Sequence, residues 1–298
     1  MRAPRVTAVL AAAALSLTLA ACGDDDDGED TAAPEPTAEE QEFEAGSRMA
    51  ELQEAGKLRV GTKFDQPLFG LKGLSGDVEG FDVEVAKIIA SKLGLSEDEI
   101  EFKETKSAVR EDSITGDVVD IIIATYTIND KRDELIDFAG PYVVANQGLL
   151  VQAGNPQSIA KPEDLAGKVV CTQEGSTSIT NITELVPTVK VVAQGSYADC
   201  AASMRDGIDD IAAVSTDDLI LAGIAEQNEG DFEVLDVTFT DEPYGIGLPE
   251  GQEDLCEFLN QTISEAYDDG SLQEAFDRTI GTVVERDLQK PEPFGCDK

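Results

Sequence analysis

Apolar and polar positions divide the chain into three regimes. Val6 to Ala21 is a run of 16 apolar or small residues without a charge. From Cys22 to about Gly46 almost nothing apolar remains. Asp24 to Asp27, Glu29 and Asp30 form a dense acidic block there, followed by Ala, Pro, Thr and Glu. From about residue 55 apolar residues return in short blocks that alternate between strand and helix spacing. Leu58-Arg59-Val60-Gly61 predicts a strand. Gly80 and Phe81 open a stretch in which Val85, Ile88, Ile89 and Leu93 share one helical face. Val118 to Ala124 (VVDIIIA) predicts a strand buried on both faces. A second set follows: strand over Lys168 to Thr172, helix over Ser178 to Leu185, strand over Val189 to Ala193. Then come a helix over Ala198 to Arg205, a strand over Ile211 to Ser215 and a helix over Asp218 to Glu226. Leu255 to Ile280 predicts two helices broken at Gly270. The alternation predicts an α/β fold with mostly parallel sheets.

The first regime has a separate meaning. Sixteen helical residues rise about 24 Å, short of a ~30 Å hydrocarbon core, but they suit a signal-peptide core behind Arg2 and Arg5. The run ends Leu19-Ala20-Ala21-Cys22-Gly23. A Cys at the first mature position resembles the bacterial lipobox, whose Cys is acylated after export, with palmitate for example. The expectation is a signal peptide over residues 1–21 and a lipidated, disordered acidic tether over residues 22–54. Like charges repel and Pro stiffens, so such a segment stays extended. It would hold a domain at the extracytoplasmic face of the cell membrane.

Composition narrows the chemistry. The chain has no His, which removes the commonest general base and the commonest zinc ligand. No P-loop, GxGxxG, HExxH or GxSxG pattern is present. No cofactor and no metal are expected. Five Cys is an odd number for an exported chain. If Cys22 carries lipid, Cys171, Cys200, Cys256 and Cys296 can form two disulfides in an oxidising compartment. Three pairings are open, and Cys171–Cys200 with Cys256–Cys296 keeps each bridge local. With 22 basic against 61 acidic residues the net charge is −39. Bulk charge of that sign excludes nucleic acid, and any membrane contact would come through the lipid anchor.

Three local motifs, in order, resemble the family 3 extracellular solute-binding proteins of polar amino-acid ABC importers. The first is Gly80-Phe81-Asp82-Val83-Glu84-Val85-Ala86. The second is Thr125-Tyr126-Thr127-Ile128-Asn129-Asp130-Lys131-Arg132 with Asp137-Phe138-Ala139-Gly140-Pro141-Tyr142. The third is Gly175-Ser176-Thr177-Ser178. The resemblance covers roughly residues 55 to 290. Val60 to Pro67, Ala124-Thr125-Tyr126, Cys171 and Ser196 to Cys200 look like the glutamate-binding lipoproteins of actinobacterial importers, which also favours a Cys171–Cys200 bridge. The resemblance implies a two-lobed periplasmic-binding-protein (Venus-flytrap) fold with two crossing hinge strands. Lobe one would be residues 55–146 and 243–298, and lobe two 147–242, with crossovers near Tyr142 to Val151 and Tyr244 to Leu248. It implies a monomer that captures an amino acid, with glutamate favoured over aspartate or glutamine, and delivers it to ABC permease and ATPase subunits. Some relatives are cyclohexadienyl dehydratases, but the residues below all suit holding a zwitterion, so no enzyme is expected.

An amino acid brings a carboxylate and an ammonium, and neither can be buried without a partner. Arg132 follows the second motif, and its planar fork can grip a carboxylate with two hydrogen bonds. The family assigns it the ligand's α-carboxylate. Thr125 and Thr127, two apart in extended chain, point the same way. Ser176 and Thr177 sit at a strand-to-helix turn, where free backbone N–H groups favour an anion. Family position gives Asp217 the ammonium, with Asp218 as a competitor. A glutamate side chain needs a further cation, and Arg110 and Lys63 match basic positions of acidic amino-acid binders. Phe64 is expected to wall the ligand's methylenes.

Loss of Arg2 and Arg5 with the signal leaves 20 basic against 61 acidic residues, a net charge of −41. That field repels an anionic ligand, but salt screens it within about 8 Å. Stopped-flow association with glutamate should therefore slow as salt is removed; rates that rise instead contradict this electrostatic picture.

Overall fold

The computed structural model describes residues 42–296. The apolar run, Cys22 and the acidic block lie outside the described residues. Among the described residues no helix is long and apolar enough to cross a membrane.

The chain begins with α1 (Arg48–Ala55), β1 (Leu58–Thr62) and a small antiparallel sheet of β2 (Asp65–Gln66), β3 (Gly70–Lys72) and β4 (Val78–Glu79). Next come α2 (Phe81–Lys92), β5 (Ile100–Glu104), α3 (Arg110–Thr115), β6 (Ile121–Thr127), α4 (Asp130–Asp133) and the long β7 (Asp137–Gln152). The second half runs β8 (Val169–Gln173), α5 (Thr177–Leu185), β9 (Lys190–Gln194), α6 (Tyr197–Arg205), β10 (Ile211–Asp217) and α7 (Asp218–Gln227). The long β11 (Phe232–Leu248), α8 (Glu253–Asp269) and α9 (Ser271–Arg278) close it. The two final helices are separated by Gly270, whose φ of 86° is left-handed and ends α8 without strain.

The large sheet has the order β5-β1-β6-β11-β7-β10-β8-β9. Strands β5, β1 and β6 are parallel at one end, and β10, β8 and β9 are parallel at the other. Between them β7 and β11 run antiparallel to each other. At about 3.3 Å per residue, the 16 residues of β7 can extend about 50 Å. That is long enough to serve two sheets in turn. Tyr244 to Gly247 of β11 pairs with β6, while Gln147 to Leu150 of β7 pairs with β10. The register between β7 and β11 shifts between Val234 and Thr238 and again between Thr238 and Asp241. These two strands are the crossing hinges of a two-lobed fold.

The core forms where the sequence periods place it. Phe81 is fully buried, with Phe276, Tyr142 and Phe69 rings at 5.6, 6.0 and 6.4 Å. Burial of one such ring contributes about 1.5–3 kcal/mol. Cys171–Cys200 ties β8 to α6, and Cys256–Cys296 ties α8 to the C-terminal segment. This is the local pairing among the three open to the sequence.

Two expectations are corrected. Disorder does not extend to residue 54. Ser47 Oγ accepts the Ala50 N–H at the start of α1, Gly56 closes it at φ 60°, and Leu52 is buried. Arg48 reaches Asp120 at 2.7 Å, and Phe43 packs edge-on against Phe258 at 5.5 Å. Two apolar anchors and two caps were enough, where the surrounding composition suggested a tether. The strand expected over Val118 to Ala124 spans Ile121–Thr127 instead. Asp120, 3% exposed, is occupied by the Arg59 N–H and guanidinium and by Arg48, so sheet pairing starts after it.

Candidate functional site

Two pairs of strands, parallel within each pair, deliver the expected residues to one place. Lys63 follows β1, Thr125 and Thr127 close β6, Ser176 and Thr177 follow β8, and Asp217 ends β10. Ligand crevices of α/β sheets lie outside the carboxyl ends of their strands. Here the two sets of strand ends face each other across the hinge.

The lobe-one side is cationic. Arg110, at the start of α3, is 2% exposed. Its guanidinium lies 4.0 Å from the Tyr126 ring centre, and Nη1 donates to the Ala124 and Thr125 carbonyls at 3.1 and 3.3 Å. Its Nε is buried with no partner. Lys63, 1% exposed, donates to Ser107 Oγ at 2.7 Å. Burial, and then the Arg110 charge beside it, push its amine well below the ordinary lysine range. Arg132 enters from α4, which Asn129 caps. Nη1 donates to the Thr127 carbonyl at 2.6 Å, and its guanidinium lies 4.9 Å from the same Tyr126 ring. Burial first, and then repulsion from Arg110, lower it to about 10. One tyrosine face-and-edge system therefore organises two arginines.

Thr125 sits at φ +46°, a conformation a β-branched residue rarely adopts. Asp82, in the first turn of α2, holds it there. Its Oδ2 accepts the Thr125 N–H at 3.0 Å, and its Oδ1 accepts the Tyr142 hydroxyl at 2.6 Å. Asp82 is fully buried, and that burial raises it to about 7.

The lobe-two side is acidic and hydroxyl-rich. Asp217, 4% exposed, accepts the Tyr244 hydroxyl on Oδ2, while Oδ1 has no partner. Burial, and then the charge of Glu242, push it well above the carboxylate range. Its neighbour Asp218 is spent elsewhere: on the Leu219 and Asn146 N–H groups and on Arg286 at 2.6 Å. Of the two, only Asp217 keeps a buried oxygen without a partner. No side chain caps α5, although Ser176 stands at its N-cap. Thr177 Oγ1 donates to Glu242 at 2.8 Å.

The cleft is shut. Arg132 Nη2 donates to the Gly175 carbonyl of the opposite lobe at 3.2 Å. A Cβ on Gly175 would stand 2.6 Å from Ala108 Cα, so only glycine lets the lobes meet this closely there. At the mouth remains an open groove of about 360 Å³ between Glu111, Lys131, Arg132 and Thr180. Phe64 is not brought to this cluster. It alternates away from Lys63, and its ring lies 4.8 Å from Lys72 Nζ over an outer groove. Sequence reasoning missed Tyr126, Glu242 and Tyr244 as site residues. The signal for Glu242 was a carboxylate inside a strand that is otherwise apolar toward Leu248.

Residues 58–282 match the family model of the bacterial extracellular solute-binding proteins, family 3. The chain is 34% identical to the glutamate-binding protein GluB of Corynebacterium glutamicum, covering 93% of this chain and 90% of that one. It is 39% identical to a glutamine-binding protein of Geobacillus stearothermophilus, covering 84% and 94%. The crystal structure of a solute receptor for L-cysteine from Neisseria gonorrhoeae superposes with a TM-score of 0.74 at 29% identity, over 80% and 95% of the two chains.

The Asp82 carboxyl generates a pH prediction. Its value rises from 3.8 unfolded to about 7 folded, so the folded state holds the extra proton between those limits. Its stabilising contribution is full below pH 4 and is lost as pH rises to 7, by about 4 kcal/mol in total. Asp82→Asn removes this term. Urea unfolding at pH 4 to 7 should show the wild type losing stability relative to the variant across that window; parallel curves would refute the assignment.

Proposed function

The chain belongs to the bacterial extracellular solute-binding proteins, family 3, and we propose that it captures an amino acid, L-glutamate, for an ABC importer. In this reading Arg132 takes the α-carboxylate with the N-terminal N–H groups of α5 at Ser176 and Thr177, and Thr125 and Thr127 line the same zwitterionic end, where the Thr127 hydroxyl can only accept. Asp217 takes the ammonium through its unpartnered oxygen. Arg110 and Lys63 take the side-chain carboxylate. Phe64 has no part. The division into lobes falls between residues 146 and 147 and between 242 and 243.

The observation that carries glutamate is Arg110. Its guanidinium is buried with Nε unpartnered, and a second buried cation, Lys63, lies close enough to be depressed by its charge. One zwitterion needs one cation for its α-carboxylate, and Arg132 supplies that. Asp82 acts on both Lys63 and Arg110, and Asp65 on Lys63, yet Lys63 is still pushed well below the lysine range, so a second anion in the cleft is favoured. A glutamine side chain would add no charge there, whereas a γ-carboxylate would help Lys63 hold its proton. Similarity to the glutamate-binding protein of C. glutamicum supports glutamate, and similarity to the glutamine-binding protein of G. stearothermophilus keeps glutamine as the alternative. Aspartate shares the charge but has one methylene fewer.

The reading extends to delivery. A monomer anchored by acylated Cys22 at the outer face of the membrane would pass its ligand to a permease with ATPase subunits. It performs capture without chemistry. Support for the anchor is the Leu19-Ala20-Ala21-Cys22 sequence. Labelled palmitate should enter the wild-type chain and not Cys22→Ala, and label in both would remove the anchor.

Thermal-shift screening against the twenty amino acids should show the largest rise with glutamate, because only ligands that bind the folded state raise the midpoint. Calorimetry on Arg110→Ala should then show about 100-fold weaker glutamate binding, the scale of a lost buried charge pair, with less than about 10-fold for glutamine. Equal losses for both would sink the side-chain assignment. Turnover of prephenate or arogenate by the same preparation would replace capture with the dehydratase reading.

A further inference from the structure

Glu242 lies on β11 at the hinge and is 1% exposed. Its carboxylate accepts four hydrogen bonds. Oε2 takes the hydroxyls of Thr127 and Thr177, each at 2.8 Å, one from each side of the cleft. Oε1 takes Asn181 Nδ2 at 2.7 Å and Thr240 Oγ1 at 2.8 Å. A carboxylate offers about four lone-pair sites, so Glu242 is saturated. All four donors are neutral, and no ion pair to it occurs among the described residues. Its charge is solvated by dipoles and offset only in part, beyond ion-pair distance, by the Arg132 guanidinium.

Two consequences follow for the same end of the cleft. A threonine hydroxyl has one proton. Thr127 and Thr177 both spend theirs on Glu242, so toward any ligand they can only accept. Asp217 is the other group there, with Oδ1 unpartnered and its second oxygen held by Tyr244. The Glu242 charge acts on Asp217 as the second cause of its elevation after burial. Glu242 itself has no capacity left to touch a ligand.

We infer that Glu242 is a positioning residue that makes this end of the cleft specific for an ammonium group. It turns two hydroxyls into acceptors beside Asp217 and adds a second buried negative charge. An ammonium finds acceptors only and relieves the repulsion between the two carboxylates. A ligand lacking that group meets lone pairs and two carboxylates that Arg132 offsets only in part. The inference rests on the amino-acid reading, but not on the choice of glutamate.

The test is Glu242→Gln, measured by calorimetry with glutamate and with glutarate, which is glutamate without its ammonium. The wild type should prefer glutamate strongly. The variant should lose about 30-fold or more for glutamate while glutarate is unchanged or tighter, so the preference collapses. Equal losses for both ligands would make Glu242 a brace between the lobes and overturn the inference, as would unchanged binding of both. If the variant fails to fold, Thr177→Val, at a partly exposed helix start, replaces it, with a loss of about 5-fold confined to glutamate. If the wild type takes glutamine instead, glutamate is withdrawn as the ligand, and the same ratio is measured with glutamine and its des-amino counterpart. A wild type that binds no amino acid overturns both readings.

Discussion

A buried charge must find a partner, and nearly every feature of this cleft answers to that rule. Isolated ions cost several kcal/mol each to remove from water, even after relaxation. Lys63, Arg110 and Arg132 are nonetheless within a few per cent of full burial, as are Asp82, Asp217 and Glu242. Part of the cost is met locally, by the carbonyls of Ala124, Thr125 and Thr127 and by the Tyr126 ring. Among the buried atoms left without a hydrogen-bond partner, two are of opposite character, Arg110 Nε and Asp217 Oδ1. They come from different lobes. A molecule bearing an anion and a cation can complete both at once, which ties ligand capture to the shut state.

The supporting residues show how a two-lobed scaffold holds such a set in register. Asp82 belongs to the helix that carries Phe81 into the core, so the Thr125 kink is fixed by the best-packed element of the molecule. Tyr142 and Tyr244 sit on the two hinge strands, and their hydroxyls hold Asp82 and Asp217 respectively. Their rings lie 6.2 Å apart. The hinge is therefore more than a link. It carries the groups that orient an acid on each side of the cleft, and Glu242 lies on it as well. Asp218 is drawn off by Arg286, from a C-terminal segment pinned by Cys296 beyond the family match.

Much of the fold was legible because its signals are local. The second-half elements fall within a residue or two of their sequence expectation, and Gly270 marked the break between α8 and α9. The two errors share a cause. Asp120 sits inside an apolar run but is claimed by Arg48 and Arg59, and α1 is held by contacts with residues far along the chain. Neither partnership leaves a periodic trace. At the site, Thr125, Thr127 and Asp217 stand at the ends of β6 and β10, positions that the sequence pattern marks, and Arg132 stands in the short α4 just after β6. Phe64 was misplaced because the direction of a side chain just beyond a strand depends on the turn that follows. Tyr126 and Tyr244 were invisible, and Glu242 left only the trace of a carboxylate in an apolar stretch, because their roles come from the opposite lobe or from neighbouring side chains that only folding brings together.

The strongly acidic chain and its cationic pocket are compatible for a physical reason. Surface carboxylates act through water and salt, where a Debye length of about 8 Å limits their reach. At an effective dielectric near 20, charges about 4 Å apart interact by about 4 kcal/mol. Three buried cations therefore outweigh a distant field many times larger in nominal charge. The acidic surface governs how fast an anion arrives, and Lys63, Arg110 and Arg132 govern whether it stays. Selection at the opposite end uses the reverse sign at equally short range, where Asp217 and Glu242 crowd two negative charges into a closed space. The cleft thus sets three cationic side chains against two acidic ones, and a ligand is chosen by matching each charge at short range.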